Sequence, residues 1–164
     1  MATPSTLAPI MLDKDAGERR WFYGGGLHTW KATSEETGGA FFLFEDELER
    51  GKLTPLHVHP DTDETIYVLE GEILTQIDGR EKRIGTGGMT FAPRGTPHAF
   101  MVLSEVARLL CFQTPGSSEA FYRGASDPIS DDGPGADAVD FERVRASAKQ
   151  TGATEILGPP PFAH

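Results

Sequence analysis

Apolar residues between Arg20 and Gln113 recur in short, often alternating runs, and Gly, Pro and Asp interrupt them at intervals that suit successive antiparallel strands. This pattern predicts strands at Arg20–Tyr23, Leu27–Thr33, Ala40–Leu48, Lys52–His59, Glu64–Leu69, Glu72–Asp78, Glu81–Ile84, Met89–Ala92, His98–Leu103 and Val106–Gln113. Asp78-Gly79 lies between two such runs and predicts a hairpin, since a two-residue type I′ turn requires positive φ at both positions. Before this region, residues 1–19 carry Pro4, Pro9 and Gly17 without periodicity and read as an extended arm. After it, residues 115–164 change character. Ser117–Arg123 suits a short helix, Asp127–Asp137 a loop, and Asp140–Gln150 a helix with Asp140 as N-cap, followed by an extended Glu155–Pro161. Many short strands without a long amphipathic helix predict an all-β sandwich or barrel over 20–114, with the terminal segments packed around it.

Composition narrows the function classes. A chain of 164 residues with 38% hydrophobic residues suffices for one domain. Fifteen Lys and Arg against 25 Asp and Glu give a net charge of -10, which repels phosphate backbones and anionic membranes. Nucleic-acid and membrane binding are therefore not expected. The single cysteine, Cys111, forms no internal disulfide, and no basic region followed by an apolar run opens the chain, so the expected location is cytoplasmic.

Only five histidines are present, and three fall where they can meet. His57 and His59 on one strand would face the same side, because side chains alternate with a period of two. Glu64 follows the tight Pro60–Asp63 connection and returns a carboxylate to that side. His98 opens a strand after Pro93-Arg94-Gly95-Thr96-Pro97 and can add a third imidazole. Three nitrogens and one oxygen suit a single divalent Fe, Ni, Mn, Co, Cu or Zn ion, and suit Ca or Mg poorly.

These residues sit in two ordered spacings. Gly51, His57, His59, Glu64 and Gly71 form G-x5-H-x-H-x4-E-x6-G, and Gly87, Pro93, Gly95 and His98 form G-x5-P-x-G-x2-H. The chain thereby resembles the cupins, in particular single-domain cupins of the quercetin 2,3-dioxygenase-like type. The Asn that closes the second cupin motif is replaced by Val102, and that Asn is not a metal ligand in the family. The resemblance implies a double-stranded β-helix, or jelly-roll barrel, with a short helical C-terminal segment. It also implies metal ligation by His57, His59, Glu64 and His98, and a dioxygenase in which Glu64 serves as ligand and general base. Cupins perform many reactions, so two other readings stand beside it: a non-oxidative cyclase or isomerase of polyketide-like substrates, and a non-catalytic small-molecule binder.

Strand parity fills in the surroundings. Ile66 and Val68 share the parity of Glu64, and Phe100 and Val102 that of His98, so these four are expected to line a substrate pocket. Mostly aliphatic walls with Arg94 as the nearby candidate cation favour a flat aromatic or polyketide-like ligand over a sugar phosphate. The resemblance implies a flavonol-like or other aromatic or enolic small molecule, with dioxygen as co-substrate. Tyr67 and Leu69 would then point outward and need cover, for which a homodimer is expected. His28 and His164 match neither motif and are read as non-ligands, and Gly24-Gly25-Gly26 as a bend. Cys111 reads as a small core residue, and Glu45-Asp46-Glu47 with Glu49 as a solvated strand edge.

Overall fold

The structure, a computed structural model, describes residues 6–129 and 139–163. Twelve strands are present among the described residues: β1 (Glu18–Phe22), β2 (Gly26–Ala32), β3 (Phe42–Glu49), β4 (Leu56–Val58), β5 (Asp63–Glu70), β6 (Glu72–Ile77), β7 (Arg80–Gly85), β8 (Met89–Ala92), β9 (His98–Val102), β10 (Val106–Thr114), β11 (Ser126–Pro128) and β12 (Glu155–Gly158). Two helices, α1 (Glu119–Gly124) and α2 (Phe141–Thr151), belong to the C-terminal segment. Hydrogen bonds join the strands into two sheets, ordered β11-β1-β2-β3-β10-β5-β8 and β12-β4-β9-β6-β7.

Alternation explains why these strands form and how they pack. Every second residue of β2, β3 and β10 is buried, and these inward positions meet those of β6 and β9 in one core. Trp30, Phe42, Phe44 and Val68 from the first sheet pack with Ile73 and Val102 from the second. The β6–β7 hairpin turns on Asp78 and Gly79, whose φ values of 51° and 74° are those the type I′ turn requires. Gly71 joins β5 to β6 at φ 89°, where a Cβ would lie 2.4 Å from the Val106 carbonyl oxygen, so no side chain fits there.

Three expectations change. Lys52–His59 is not one continuous strand: Pro55 interrupts it, Leu53 makes only an isolated bridge to Met101, and pairing resumes at Leu56. The acidic run is not an edge. β3 lies between β2 and β10, and while Glu47 and Glu49 face solvent, Asp46 points inward and is buried. The C-terminal segment is more than a wrapping, because β11 extends the first sheet beside β1 and β12 extends the second beside β4. Helix α2 starts where capping predicts, with the Asp140 carboxylate accepting from the Arg143 backbone N–H at 3.1 Å. Of the loop expected at Asp127–Asp137, the part from residue 130 lies outside the described residues, as does His164.

Candidate metal centre

The site forms where the two sheets face each other. His57 on β4 pairs in register with His98 on β9, and His59 follows directly after β4. Glu64 comes from the other sheet, on β5, level with Gln113 of β10. One ligand atom from each of the three imidazoles lies within 4.8 Å of the others, and Glu64 approaches His59 Nε2 with Oε2 at 3.1 Å and His98 Nε2 with Oε1 at 3.2 Å.

Hydrogen bonds on the far side of each ring set which nitrogen faces the centre. His57 Nδ1 donates to the Pro55 carbonyl and His98 Nδ1 to the Thr96 carbonyl, each at 2.8 Å. His59 Nδ1 meets Thr154 Oγ1 at 3.0 Å and the Ala153 carbonyl at 3.3 Å, both from the stretch just before β12. With Nδ1 carrying the proton in all three, each Nε2 presents a lone pair inward. His98 Nε2 is buried and has no hydrogen-bond partner. Imidazole lone pairs facing carboxylate oxygens at 3.1 and 3.2 Å repel unless a cation lies among them. Donors each about 2.1 Å from a shared ion would be spaced on the order of 3 Å apart, so the donor set fits one divalent transition metal ion. The buried three-histidine cluster is thus able to hold a single divalent ion.

Charge in the centre is tightly linked. Without an ion, a proton on His98 Nε2 takes the place of the cation: burial opposes that charge, but Glu64 raises the His98 pKa. Burial alone would in turn raise the Glu64 pKa, yet the His98 charge and the contacts with His59 and His98 hold it well below the usual carboxylate value. Burial lowers His57 to about 3, with the charges that His98 and His59 would carry adding to the effect. In the unfolded chain His57 titrates near 6.5, so between pH 6.5 and 3 the unfolded state binds the extra proton and acid removes stability. Metal-free protein is expected to lose about 3 kcal/mol through His57 as pH falls from 7 to 4. Urea melts of the wild type and His57→Phe across that range measure it: the wild-type slope should be the steeper, and parallel slopes would contradict the assignment.

Two residues that the sequence reading passed over complete the centre. Gln113 is fully buried and donates from Nε2 to Glu64 Oε2 at 2.6 Å, while its Oε1 accepts from Ser118 Oγ at 3.2 Å, fixing the orientation of the amide. A polar residue at an inward position of the apolar β10 run was the signal for it. Thr154 leaves no comparable trace, because only the folding back of the C-terminal segment brings it to His59.

The centre adjoins a cavity of about 70 Å³. Of the four residues expected to line it, Ile66 and Phe100 do, whereas Val68 and Val102 lie in the core and are not among its lining residues. Phe22, Phe44 and Tyr122 supply aromatic walls, and Phe141, Val144 and Ile156 close it from the C-terminal segment. The cation at this cavity is Lys52, not Arg94. Arg94 is exposed and forms a paired contact with Asp63, with both distances 3.1 Å, which helps hold the loop before His98. Lys52 donates to the Gly24 carbonyl, and burial lowers its pKa to about 8 against the opposing pull of Asp46. His28 is absent from the metal-capable cluster but lines the same cavity, as does Cys111, whose thiol pKa burial pushes well up.

Two facing sheets with a three-histidine centre between them define a metal-binding cupin domain, and residues 44–112 match the Cupin domain family model. The chain carries a cupin-superfamily domain related to quercetin 2,3-dioxygenase-like proteins. It is 31% identical over 125 residues to quercetin 2,3-dioxygenase of Bacillus subtilis, covering 76% of this chain and 37% of that enzyme. It is 27% identical over 111 residues to the tetracenomycin polyketide synthase protein TcmJ of Streptomyces glaucescens, covering 68% of this chain and 73% of that protein. The chain therefore spans little more than a third of the Bacillus enzyme. Among solved structures, an RmlC-like cupin from Shewanella frigidimarina superposes with a TM-score of 0.56 at 18% identity, over 70% of this chain and 95% of the other. A predicted oxalate decarboxylase from Thermotoga maritima gives 0.56 at 20% identity, over 66% and 99%. At these identities the structural likeness speaks to the fold.

Proposed function

We propose that this protein is a metal-dependent dioxygenase acting on a flavonol-like or other aromatic, enolic small molecule. The observation that carries the reading is the placement of the buried Glu64 carboxyl beside three imidazoles whose Nε2 atoms face inward, at the edge of a cavity walled by Phe22, Phe44, Phe100 and Tyr122. A bound divalent ion would supply Lewis acidity, lowering the pKa of an enol or phenol hydroxyl, and a redox-active one would support reaction with dioxygen. His57, His59 and His98 hold that ion, and their bonds to Pro55, Thr96 and the Ala153-Thr154 stretch keep each Nε2 aimed at it. Glu64 accepts the hydroxyl proton at Oε1 or Oε2. Its low pKa makes it a weak base, so it suits an already acidic hydroxyl better than a C–H bond. Gln113 keeps one carboxylate oxygen oriented while the proton moves.

The apolar walls exclude water, and the described residues include no helix long and apolar enough to cross a membrane. At about 70 Å³ the cavity is well below the roughly 300 Å³ and more of ordinary ligand pockets, so a flavonol is admitted only when the segment bearing Phe141, Val144 and Ile156 moves aside. On this reading the protein works in the cytoplasm as a homodimer. Tyr67, Met89 and Phe91 support the pairing, as adjacent apolar side chains of β5 and β8 that are about half exposed, and a mass by light scattering at micromolar concentration tests it.

The similarity to TcmJ, which spans most of that protein, favours a second reading: a cyclase acting on a polyketide-like substrate with no use of oxygen. Elemental analysis combined with an oxygen-electrode screen of flavonols, catechols and diketones separates the two. The dioxygenase reading expects one metal ion per chain and oxygen uptake with an enolic aromatic. Turnover at the same rate without oxygen supports the cyclase, and metal content near zero in carefully purified protein supports a non-catalytic binder.

A further inference from the structure

The cavity has a second polar end that the metal centre does not use. His28 on β2 and Asp46 on β3 are register partners, and their side chains face each other with His28 Nε2 3.5 Å from Asp46 Oδ1. Both atoms are buried and have no hydrogen-bond partner, which is costly and uncommon in a folded protein. Trp30 Nε1 approaches His28 Nδ1 at 3.5 Å, and because an indole N–H only donates, Nδ1 accepts and the ring proton lies on Nε2. Lys52 lines the same end. The strand register measures how far this end lies from the centre. Asp46 is level with Leu109 of β10 and Glu64 with Gln113, four residues further along, which is roughly 13 Å along the strand direction. β3 and β5 flank β10 on opposite sides, which adds an offset of roughly 10 Å across it.

The geometry points to a ligand with two polar ends: an enol or phenol at the metal centre, and a second aromatic hydroxyl held by His28, Asp46 and Lys52. This rests on the aromatic, enolic reading above and adds its length and its distal group. A phenolic hydroxyl satisfies the orphaned atoms together, donating its proton to Asp46 Oδ1 and accepting from His28 Nε2–H. The stacking of His28 between Phe22 and Phe44, with centroids 5.0 and 4.5 Å apart, keeps the donor in place and presents flat walls to an aromatic ring. A sugar or a carboxylate fits less well: the walls around this end are aromatic, and Asp46 repels an anion.

Phenol is a sufficient probe for this end, with the imidazole nitrogens of zinc-loaded protein followed by NMR. A saturable shift at His28 Nε2 is expected, with affinity falling about tenfold or more in Asp46→Asn, the loss that removing a charged acceptor implies. Lys52→Met should also weaken phenol and supplies a second test if Asp46→Asn fails to fold. Benzene should bind equally to all three proteins. Phenol shifts confined to His57, His59 and His98, no shift up to its solubility, or equal binding of benzene and phenol to His28 would each overturn the anchor. A parallel titration with 3-hydroxyflavone, which has the enol and no distal hydroxyl, reports on the metal end separately. If it fails to bind while phenol still shifts His28, the enolic reading falls and the anchor stands.

Discussion

Substituting Ala for His57 is expected to cut metal affinity by about 10³-fold or more and leave purified protein with almost none bound. Loss of a residue that merely orients a ligand costs about 10- to 100-fold, and removing a ligand itself costs more. No neighbouring group replaces the lost donor, because His28 belongs to the opposite end of the cavity and the described residues form no other metal-capable cluster that includes it. Tyr67→Ser is the matched control. Tyr67 lies three residues from Glu64 on the same strand but faces outward, so metal content should stay near one per chain. Plasma emission spectrometry of both variants, supported by competition with a chromogenic chelator, gives the answer. Equal metal content in the two would remove the basis for the centre.

Glu64→Gln is expected to reduce turnover by about 10²- to 10⁴-fold while most of the metal remains bound. The amide keeps the size of the side chain and an oxygen that can turn toward Gln113 Nε2, so the three Nε2 lone pairs stay in position. What it loses is the ability to take a proton. The wild-type carboxylate is ionised across the neutral range, because the interactions with His98 and His59 outweigh the upward pull of burial. Activity should therefore hold its plateau well below pH 7 before falling. Oxygen uptake with a flavonol and metal content, measured on the same preparation, separate the two effects: equal uptake by variant and wild type would remove Glu64 from proton transfer, and loss of metal together with uptake would make it primarily a ligand.

Local chemistry explains which parts of this fold were legible in the chain. Alternation placed the β2, β3, β5 and β10 strands within a few residues, since each buries one face more deeply than the other. Asp78-Gly79 and the Asp140 cap were legible because positive φ and unsatisfied helix N–H groups demand particular residues. His57, His59, Glu64 and His98 were readable because spacing within strands and short connections carries them to one place. What escaped depends on contacts far apart in sequence. Asp46 looked like part of a solvated acidic run, and only the insertion of β3 between β2 and β10 shows that its parity is inward. Lys52 was passed over because Pro55 breaks the strand period beyond it, and Thr154 because β12 must first pair with β4. Val68 and Val102 have the expected inward parity, yet an inward side chain meets either the cavity or the opposing sheet, and parity does not distinguish them.

The central claim, that this centre directs dioxygen onto an enolic aromatic, is tested most directly by turnover under ¹⁸O-labelled dioxygen with mass spectrometry of the product. Two labelled oxygen atoms in the product, with no turnover under argon, are the result expected here. Unlabelled product formed equally well under argon would contradict it.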